Sequence, residues 1–168
     1  MNESDMTLGC HFSGEEVIGW LASEKLDGCR AYWDGSRLWT RGGHQIPAPS
    51  SFLRDLPVGF ALDGEIYAGR GRFEEARQAT QYGRWTRRVR FVCFDSPNAH
   101  GAWLARLAAV AGRCEVVPHW RVRSMSELNT RLRAIQSRGG EGVVLRDPTV
   151  TTYERGRSQN LLKFLSPY

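Results

Sequence analysis

The stretch from Ser23 to Gly35, S-E-K-L-D-G-C-R-A-Y-W-D-G, decides the fold of this chain. Its closing Asp-Gly pair stands between two apolar runs, Cys29 to Trp33 and Leu38 to Arg41, and this arrangement is a strong signal for a β-hairpin. The stretch also holds Lys25, and the only other lysine among the 23 Lys and Arg residues is Lys163. Arginine does not lose its proton in a protein, so an amine nucleophile requires a lysine. We therefore interpret the two lysine positions as signs of chemistry.

A second predicted strand, Phe60 to Tyr67, carries two acidic side chains. Side chains alternate between the faces of a strand, so Phe60, Leu62 and Ile66 share one face. Asp63 and Glu65 then share the other face, and both can point into one cleft.

Helices and further strands follow from periodicity and capping signals. A capping box, Ser124 to Glu127, predicts a helix with Leu128, Leu132 and Ile135 on its apolar stripe. The other predicted elements are helices at Phe73 to Tyr82 and Ala102 to Ala111, a short helical turn within Pro47 to Pro57, and strands at Val89 to Asp95, Glu115 to Pro118, Val143 to Arg146 and Leu161 to Leu165. Strands outnumber helices and hairpins favour antiparallel pairing, so we predict a single α+β domain over residues 1–168.

Composition narrows the function classes. The 168 residues are 41% hydrophobic and 24% charged, as in ordinary soluble globular proteins. A net charge of +5 and a pI near 9.3 favour a polyanionic partner. The four cysteines match no metal-binding spacing. Met1 to Gly14 lacks the apolar run of a signal peptide, and no stretch is long enough to span a membrane. We expect a cytoplasmic monomer that does not contact membranes.

Five motifs occur in a fixed order along the chain. They are Lys25-Leu26-Asp27-Gly28, Leu62-Asp63-Gly64-Glu65, Phe91-Val92-Cys93-Phe94-Asp95, Glu141-Gly142-Val143-Val144-Leu145 and Leu161-Leu162-Lys163. This series resembles the adenylation (nucleotidyltransferase) domain of ATP-dependent DNA ligases over roughly residues 20–165. Ala68 to Phe73 and Tyr153 to Ser158 look especially like the small bacterial and phage-type ligases. The resemblance implies an antiparallel-sheet, ATP-grasp-like nucleotidyltransferase fold.

The resemblance also implies a reaction and its cofactors. Lys25 is the amine that attacks the α-phosphate of ATP, leaving AMP on the protein as a phosphoramidate. Lys163 supplies a cation that neutralises the α-phosphate. Three carboxylates, Asp63, Glu65 and Glu141, offer oxygen ligands for Mg²⁺, which keeps waters and phosphate as its other ligands.

Further residues match family positions that contact the nucleotide or the DNA. Phe94 corresponds to the aromatic that stacks on adenine, Glu65 also meets the ribose, and the backbone beside Glu24 recognises the base. Arg30 corresponds to a position that contacts the nucleotide or the nick. The resemblance implies nicked duplex DNA as the partner, with Arg41 on its 5′-phosphate. A dense basic run provides sites for DNA phosphates, namely Arg70, Arg72, Arg84, Arg87 and Arg88.

Two departures from the family pattern leave alternatives open. The last motif usually reads lysine-x-lysine, whereas Leu165 stands at the second position here. The family carries an OB-fold domain after this point, and we expect no such domain within the 168 residues. Self-adenylation should therefore be slow, and nick sealing by the chain alone should be weak. The alternatives are a non-catalytic nucleotide- or DNA-binding module, and an RNA ligase or capping-type guanylyltransferase.

Overall fold

The computed structural model describes residues 5–168, so residues 1–4 of the predicted domain lie outside the described part. Within it, strands and short helices alternate irregularly along the chain. The strands are β1 Thr7–His11, β2 Leu21–Lys25, β3 Cys29–Trp33, β4 Leu38–Thr40, β5 Leu62–Tyr67, β6 Arg90–Asp95, β7 His119–Arg121, β8 Gly142–Arg146 and β9 Gly156–Phe164. The helices are α1 Ser50–Leu53, α2 Phe73–Tyr82, α3 Trp103–Ala108 and α4 Met125–Gln136.

Two sheets form the framework. The first has the strand order β1-β9-β8-β2-β7, and the second has the order β4-β3-β5-β6. All neighbours are antiparallel except β1 and β9, which run parallel. This confirms the predicted α+β class with a mainly antiparallel arrangement. Strand β2 belongs to the first sheet and β3 to the second, and only residues 26–28 lie between them.

Each sheet has its own hydrophobic core. Helices α2 and α3 contribute buried Ala76, Ala79 and Trp103 to the core of the second sheet. Helix α4 packs Leu128 and Leu132 into the core of the first sheet. The α4 stripe and its cap were both predicted from the sequence, and Ser124 Oγ accepts a hydrogen bond from the Glu127 amide at 3.1 Å. The prediction for this helix is confirmed.

Several predicted elements differ from the structure. The strand predicted at Glu115 to Pro118 is instead formed by β7, at His119–Arg121, although Val116 makes an isolated bridge to Cys93. The helix predicted over Ala102 to Ala111 is shorter, Trp103–Ala108. Strands β1 and β2 were not predicted, because neither segment alternates cleanly between polar and apolar residues. No helix within residues 5–168 has the length and apolar character needed to cross a membrane.

The junction between the sheets leaves no room for a side chain at Gly28. A Cβ at this position would stand 2.2 Å from the Ile66 carbonyl oxygen and 2.9 Å from Cγ of Glu65. Both neighbours lie on β5, so the chain after β2 runs directly against the second sheet. The glycine of the Lys25-Leu26-Asp27-Gly28 motif is therefore needed where the chain leaves β2 and enters β3 against β5.

We predict that Gly28→Ala destabilises the protein by about 1–3 kcal/mol, the usual cost of overpacking a close contact. The matched control is Gly42→Ala, whose added Cβ would meet its nearest neighbour at an ordinary 3.5 Å. Urea unfolding of both variants measures the difference. Equal stability of the two variants would show that the junction has room to relax.

Candidate active site between the two sheets

A cleft of about 520 Å³ opens between the sheets and gathers most of the predicted nucleotide-binding residues. This volume is in the usual range for small-molecule sites. Six of those residues line the cleft: Glu24, Lys25, Arg30, Glu65, Phe94 and Lys163. The turn residue Arg41 also lines it. The seventh predicted residue, Glu141, contacts Lys25. The structure therefore brings most of the predicted nucleotide-binding residues together in one cleft.

Lys25 stands at the end of β2, where the first sheet borders the cleft. It pairs with Gly142 at the start of β8, and the preceding residue, Glu141, contacts it directly. The distance from Lys25 Nζ to Glu141 Oε1 is 2.5 Å, with the two side chains 24% and 36% exposed. An amine that is paired with a carboxylate and still reachable from the cleft is suited to donate a proton and attack an incoming electrophile.

The second lysine lies on the same sheet. Lys163 on β9 pairs with Val144, which in turn pairs with Ser23 on β2. Lys25 lies two residues further along β2, so both lysines project from the same face of this sheet. Leu165 lies nearer to Lys25: its Cδ2 atom is 2.6 Å from where a Cβ of Gly142 would stand. The apolar substitution noted in the sequence thus sits beside the strand pair that carries Lys25.

The carboxylate of Asp63 forms an ion pair with Arg30. Arg30 Nε and Nη2 each lie 2.6 Å from an Asp63 oxygen. The Tyr153 hydroxyl also donates to Asp63, at 2.5 Å, and the carboxylate is almost completely buried. The sequence placed Asp63 among the metal ligands, but these contacts leave it poorly placed to bind Mg²⁺. In residues 5–168, no group of three or more His, Cys, Asp or Glu residues could hold a metal ion.

Arg30 has a second contact that matters for a nucleotide. Its guanidinium carbon lies 4.7 Å from the centroid of the Phe94 ring. The pair with Asp63 fixes this geometry, so Arg30 supports the aromatic wall of the cleft. One face of Phe94 is therefore held by a cation, and the ring forms part of the surface that a base would meet.

Glu65 is the acidic residue of β5 that does line the cleft. Burial raises the pKa of its carboxyl to about 8, although the nearby charges of Arg30 and Lys25 oppose the rise. The carboxyl is therefore largely protonated at neutral pH while the cleft holds no ligand. A protonated carboxyl can donate a hydrogen bond, for example to a hydroxyl of a bound ligand.

Sequence reasoning missed Arg146, at the end of β8. Its guanidinium lies 4.5 Å from the centroid of the Trp103 ring and donates to Ser23 Oγ at 2.9 Å. Burial lowers the pKa of Arg146 to about 10, with Asp95 opposing the shift. Arg146 lines the cleft as a buried cation without a direct ion pair in the described part of the chain. The only feature of the sequence that pointed to Arg146 was its position as a charged residue at the end of an apolar strand.

The basic residues predicted to contact DNA are placed in two different ways. Arg70 is bound to Glu24, with both nitrogen–oxygen distances at 2.7 Å, so it is not a freely solvated arginine. The others are exposed around α2. Arg84 donates to Gln78 at 2.9 Å, and Thr86 hydrogen-bonds Glu75, so the chain after α2 returns along the helix. Arg72 and Arg84 line one shallow pocket beside α2, and Arg87 and Arg88 follow in the same exposed segment.

Comparison with known proteins places the chain in a family. No protein-family model matches it. It is 35% identical over 170 residues to the DNA ligase of Haemophilus influenzae, covering 95% of this chain and 63% of that protein. The structure of a Lig E DNA ligase superposes with a TM-score of 0.85 at 30% identity, covering 96% of this chain and 68% of the other. The structure of the Chlorella virus DNA ligase–adenylate superposes with a TM-score of 0.77 at 22% identity, covering 95% of this chain and 68% of the other.

The fold and the cleft define a nucleotidyltransferase domain of the type found in ATP-dependent DNA ligases. The chain belongs to the DNA ligase family. It spans about 63% of the length of the curated relative.

The buried carboxyl of Glu65 predicts a pH dependence of stability. The unfolded chain releases this proton near the ordinary value of 4.5, whereas the folded chain retains it up to about 8. The stability of the ligand-free protein should therefore fall between these pH values, by about 3–5 kcal/mol in total from this group. Glu65→Gln should remove that slope and stabilise the protein at pH 8.

Urea unfolding across this pH range measures the slope. Glu115→Gln is the control, because Glu115 is half exposed beside Arg90. A slope that persists unchanged in Glu65→Gln would assign it to another group.

Proposed function

We propose that this chain carries out the adenylation step of an ATP-dependent DNA ligase. The observation that carries the proposal is the position of Lys25, whose amine contacts Glu141 in a cleft shared with Phe94 and Lys163. AMP would be held on Lys25 and then passed to the 5′-phosphate at a nick in duplex DNA. Membership in the DNA ligase family supports this reaction, and no contact in the cleft favours a guanylate-specific or non-catalytic role.

The chemical step follows from the contacts of Lys25. Its Nζ attacks the α-phosphorus of ATP, so a phosphorus–nitrogen bond forms and the bond to the pyrophosphate oxygen breaks. The amine must give up a proton for this attack, and the Glu141 oxygen 2.5 Å away is placed to accept it. Lys163 and the buried cation Arg146 line the same cleft and stabilise the negative charge on the phosphates.

Mg²⁺ is the second proposed cofactor. Asp63 is occupied by Arg30 and Tyr153, so Glu65 and Glu141 are the protein carboxylates that would hold the ion. Such a limited protein contribution is usual for Mg²⁺, which retains waters and substrate phosphates as ligands. When bound, the ion would neutralise charge on the phosphates of ATP.

The proposed DNA-binding surface is the exposed basic region around α2. Arg72 and Arg84 line a shallow pocket there, Arg87 and Arg88 are exposed just after it, and Arg41 lines the cleft. We expect these exposed arginines to contact phosphates rather than bases, so binding should be insensitive to sequence and should weaken with salt. Arg70 would act indirectly, through its ion pair with Glu24.

We predict that ATP and Mg²⁺ label wild-type protein with AMP and that Lys25→Arg abolishes the label. The guanidinium keeps the positive charge but cannot attack phosphorus. Lys163→Arg is the matched control, because it retains the cation that Lys163 supplies, and labelling should persist. Intact-mass measurement and peptide mapping report the adduct. An adduct mapped to Lys163, or one that survives in Lys25→Arg, contradicts the assignment, and a GMP adduct from GTP favours the capping-type alternative.

We also predict that Leu165→Lys speeds self-adenylation. Leu165 packs against Gly142, the β8 partner of Lys25, so a lysine there would place a cation near the developing phosphate charge. One preorganised charge of this kind typically changes a rate by about 10²–10³. Single-turnover labelling measures the effect, with Leu165→Met as the uncharged control. No acceleration over Leu165→Met would show that the cation at this position is not what limits the rate.

A further inference from the structure

A second cavity, of about 460 Å³, adjoins the cleft along β2. Glu24 and Leu26, the residues before and after Lys25, line both spaces. We call it the rear cavity. The rest of its wall is formed by Tyr67, Arg70, Arg90, Val92, Glu115, Val117, Pro118, Trp120, Arg131, Ala134, Ile135 and Arg138. No step of the adenylation reaction proposed above uses the rear cavity.

Arginines are the most frequent polar residues of this wall. Four arginines and two glutamates line the rear cavity, and Arg131 also pairs with Glu127 at 3.0 Å. Arg90 and Glu115 form a pair at 3.0 Å with both side chains about half exposed, and exposed pairs of this kind contribute little. Arg138 lines the cavity and forms no ion pair within the described residues. An incoming anion can therefore bind Arg138 and share Arg90 without breaking a buried contact.

The apolar part of the wall suits a flat ring. Val92, Val117 and Ile135 form apolar surface from both cores, and two aromatic side chains lie beside them. Arg131 lies 4.8 Å from the Trp120 ring centroid, and Arg90 lies 5.3 Å from that of Tyr67. Guanidinium planes held in this way are surfaces on which nucleic-acid bases stack.

One buried atom of Trp120 lacks a partner. The indole Nε1 of Trp120 is the one side-chain nitrogen or oxygen in the described part of the chain that is buried without a hydrogen-bond partner. Buried donors are normally satisfied, and because this nitrogen has almost no exposed surface, a ligand in the rear cavity would reach it only if the Trp120 side chain moved.

We propose that the rear cavity binds a second nucleotide, with its phosphate on Arg138 and Arg90 and its base against Trp120 and Arg131. Arginine is well suited to phosphate, because its planar group donates two parallel hydrogen bonds. A carboxylate ligand would use the arginines but not the aromatic surface. A free nucleotide and the terminal nucleotide of a strand both present this chemistry.

The rear cavity also touches the site of the proposed reaction. Arg70 lines it and holds Glu24 through two contacts of 2.7 Å. Glu24 Oε1 in turn lies 2.8 Å from where a Cβ of Gly140 would stand, next to Glu141. A phosphate that competed with Glu24 for Arg70 would therefore act on the loop that contacts Lys25.

The test uses AMP as the probe, because AMP lacks the leaving group needed to adenylate Lys25. The protein is labelled with ¹⁵N-tryptophan, and the Trp120 indole resonance is assigned by its loss in Trp120→Phe. Titration with AMP should shift this resonance to saturation. Arg138→Ala should weaken the apparent affinity at Trp120 at least about tenfold, the effect of one charged hydrogen bond. Arg133→Ala is the matched control, because Arg133 is an exposed arginine on α4 just before Arg138, and it should leave the affinity unchanged.

Phe94→Ala separates the two sites. This variant weakens the cleft, and the Trp120 response should keep its wild-type affinity. A response that disappears in Phe94→Ala but persists in Arg138→Ala would show that Trp120 only senses the cleft, and the proposal would fall. It would also fall if Trp120 does not respond, or if ribose 5-phosphate binds as tightly as AMP, since the base would then contribute nothing.

Repeating the titration with a 5′-phosphorylated trinucleotide identifies the source. Tighter binding of the trinucleotide assigns the cavity to a strand end, and tighter binding of AMP assigns it to a free nucleotide. The readout is independent of the adenylation of Lys25, so failure of that reaction leaves this result interpretable.

Discussion

The short connection between the two sheets at residues 26–28 is the constraint on which the rest of the structure depends. The chain passes from one sheet to the other within three residues, and a single Cβ at Gly28 would collide with the β5 backbone. Because this connection is short, Lys25, the last residue of β2, and Glu65 on β5 line the same cleft. The lysine on one sheet and the carboxyl on the other are thus brought together by backbone geometry rather than by a flexible loop.

The charged residues in and around this cleft differ in their partners. Arg30 and the buried Asp63 satisfy each other and hold Phe94 in place. Arg146 is buried and forms no direct ion pair within residues 5–168, which favours the arrival of a phosphate. Lys25 and Glu141 lie nearer the solvent, where their pair can separate when a ligand enters. The buried pairs organise the site, and the accessible pair is left for chemistry.

Local patterns in the sequence were enough to predict much of the site. The hairpin at Asp34-Gly35, helix α2, the cap of α4 and the cleft positions of Lys25, Glu65, Phe94 and Lys163 follow from short-range signals and motif order. Long-range pairing was not predictable in the same way. Asp63 and Glu65 were assigned to one cleft because residues two apart lie on the same face of a strand. In the structure, Asp63 instead forms an ion pair with Arg30, which is 33 residues away in the sequence. Nothing near Arg70 in sequence shows that Glu24, 46 residues away, binds it.

A crystal structure of the protein after incubation with ATP and Mg²⁺ tests the central claim most directly, because that claim concerns where the nucleotide lies. The account predicts continuous density between Lys25 Nζ and the phosphorus of AMP, with adenine stacked on Phe94 and the phosphate facing Lys163. Nucleotide bound outside the cleft, or AMP attached to a residue other than Lys25, would contradict it.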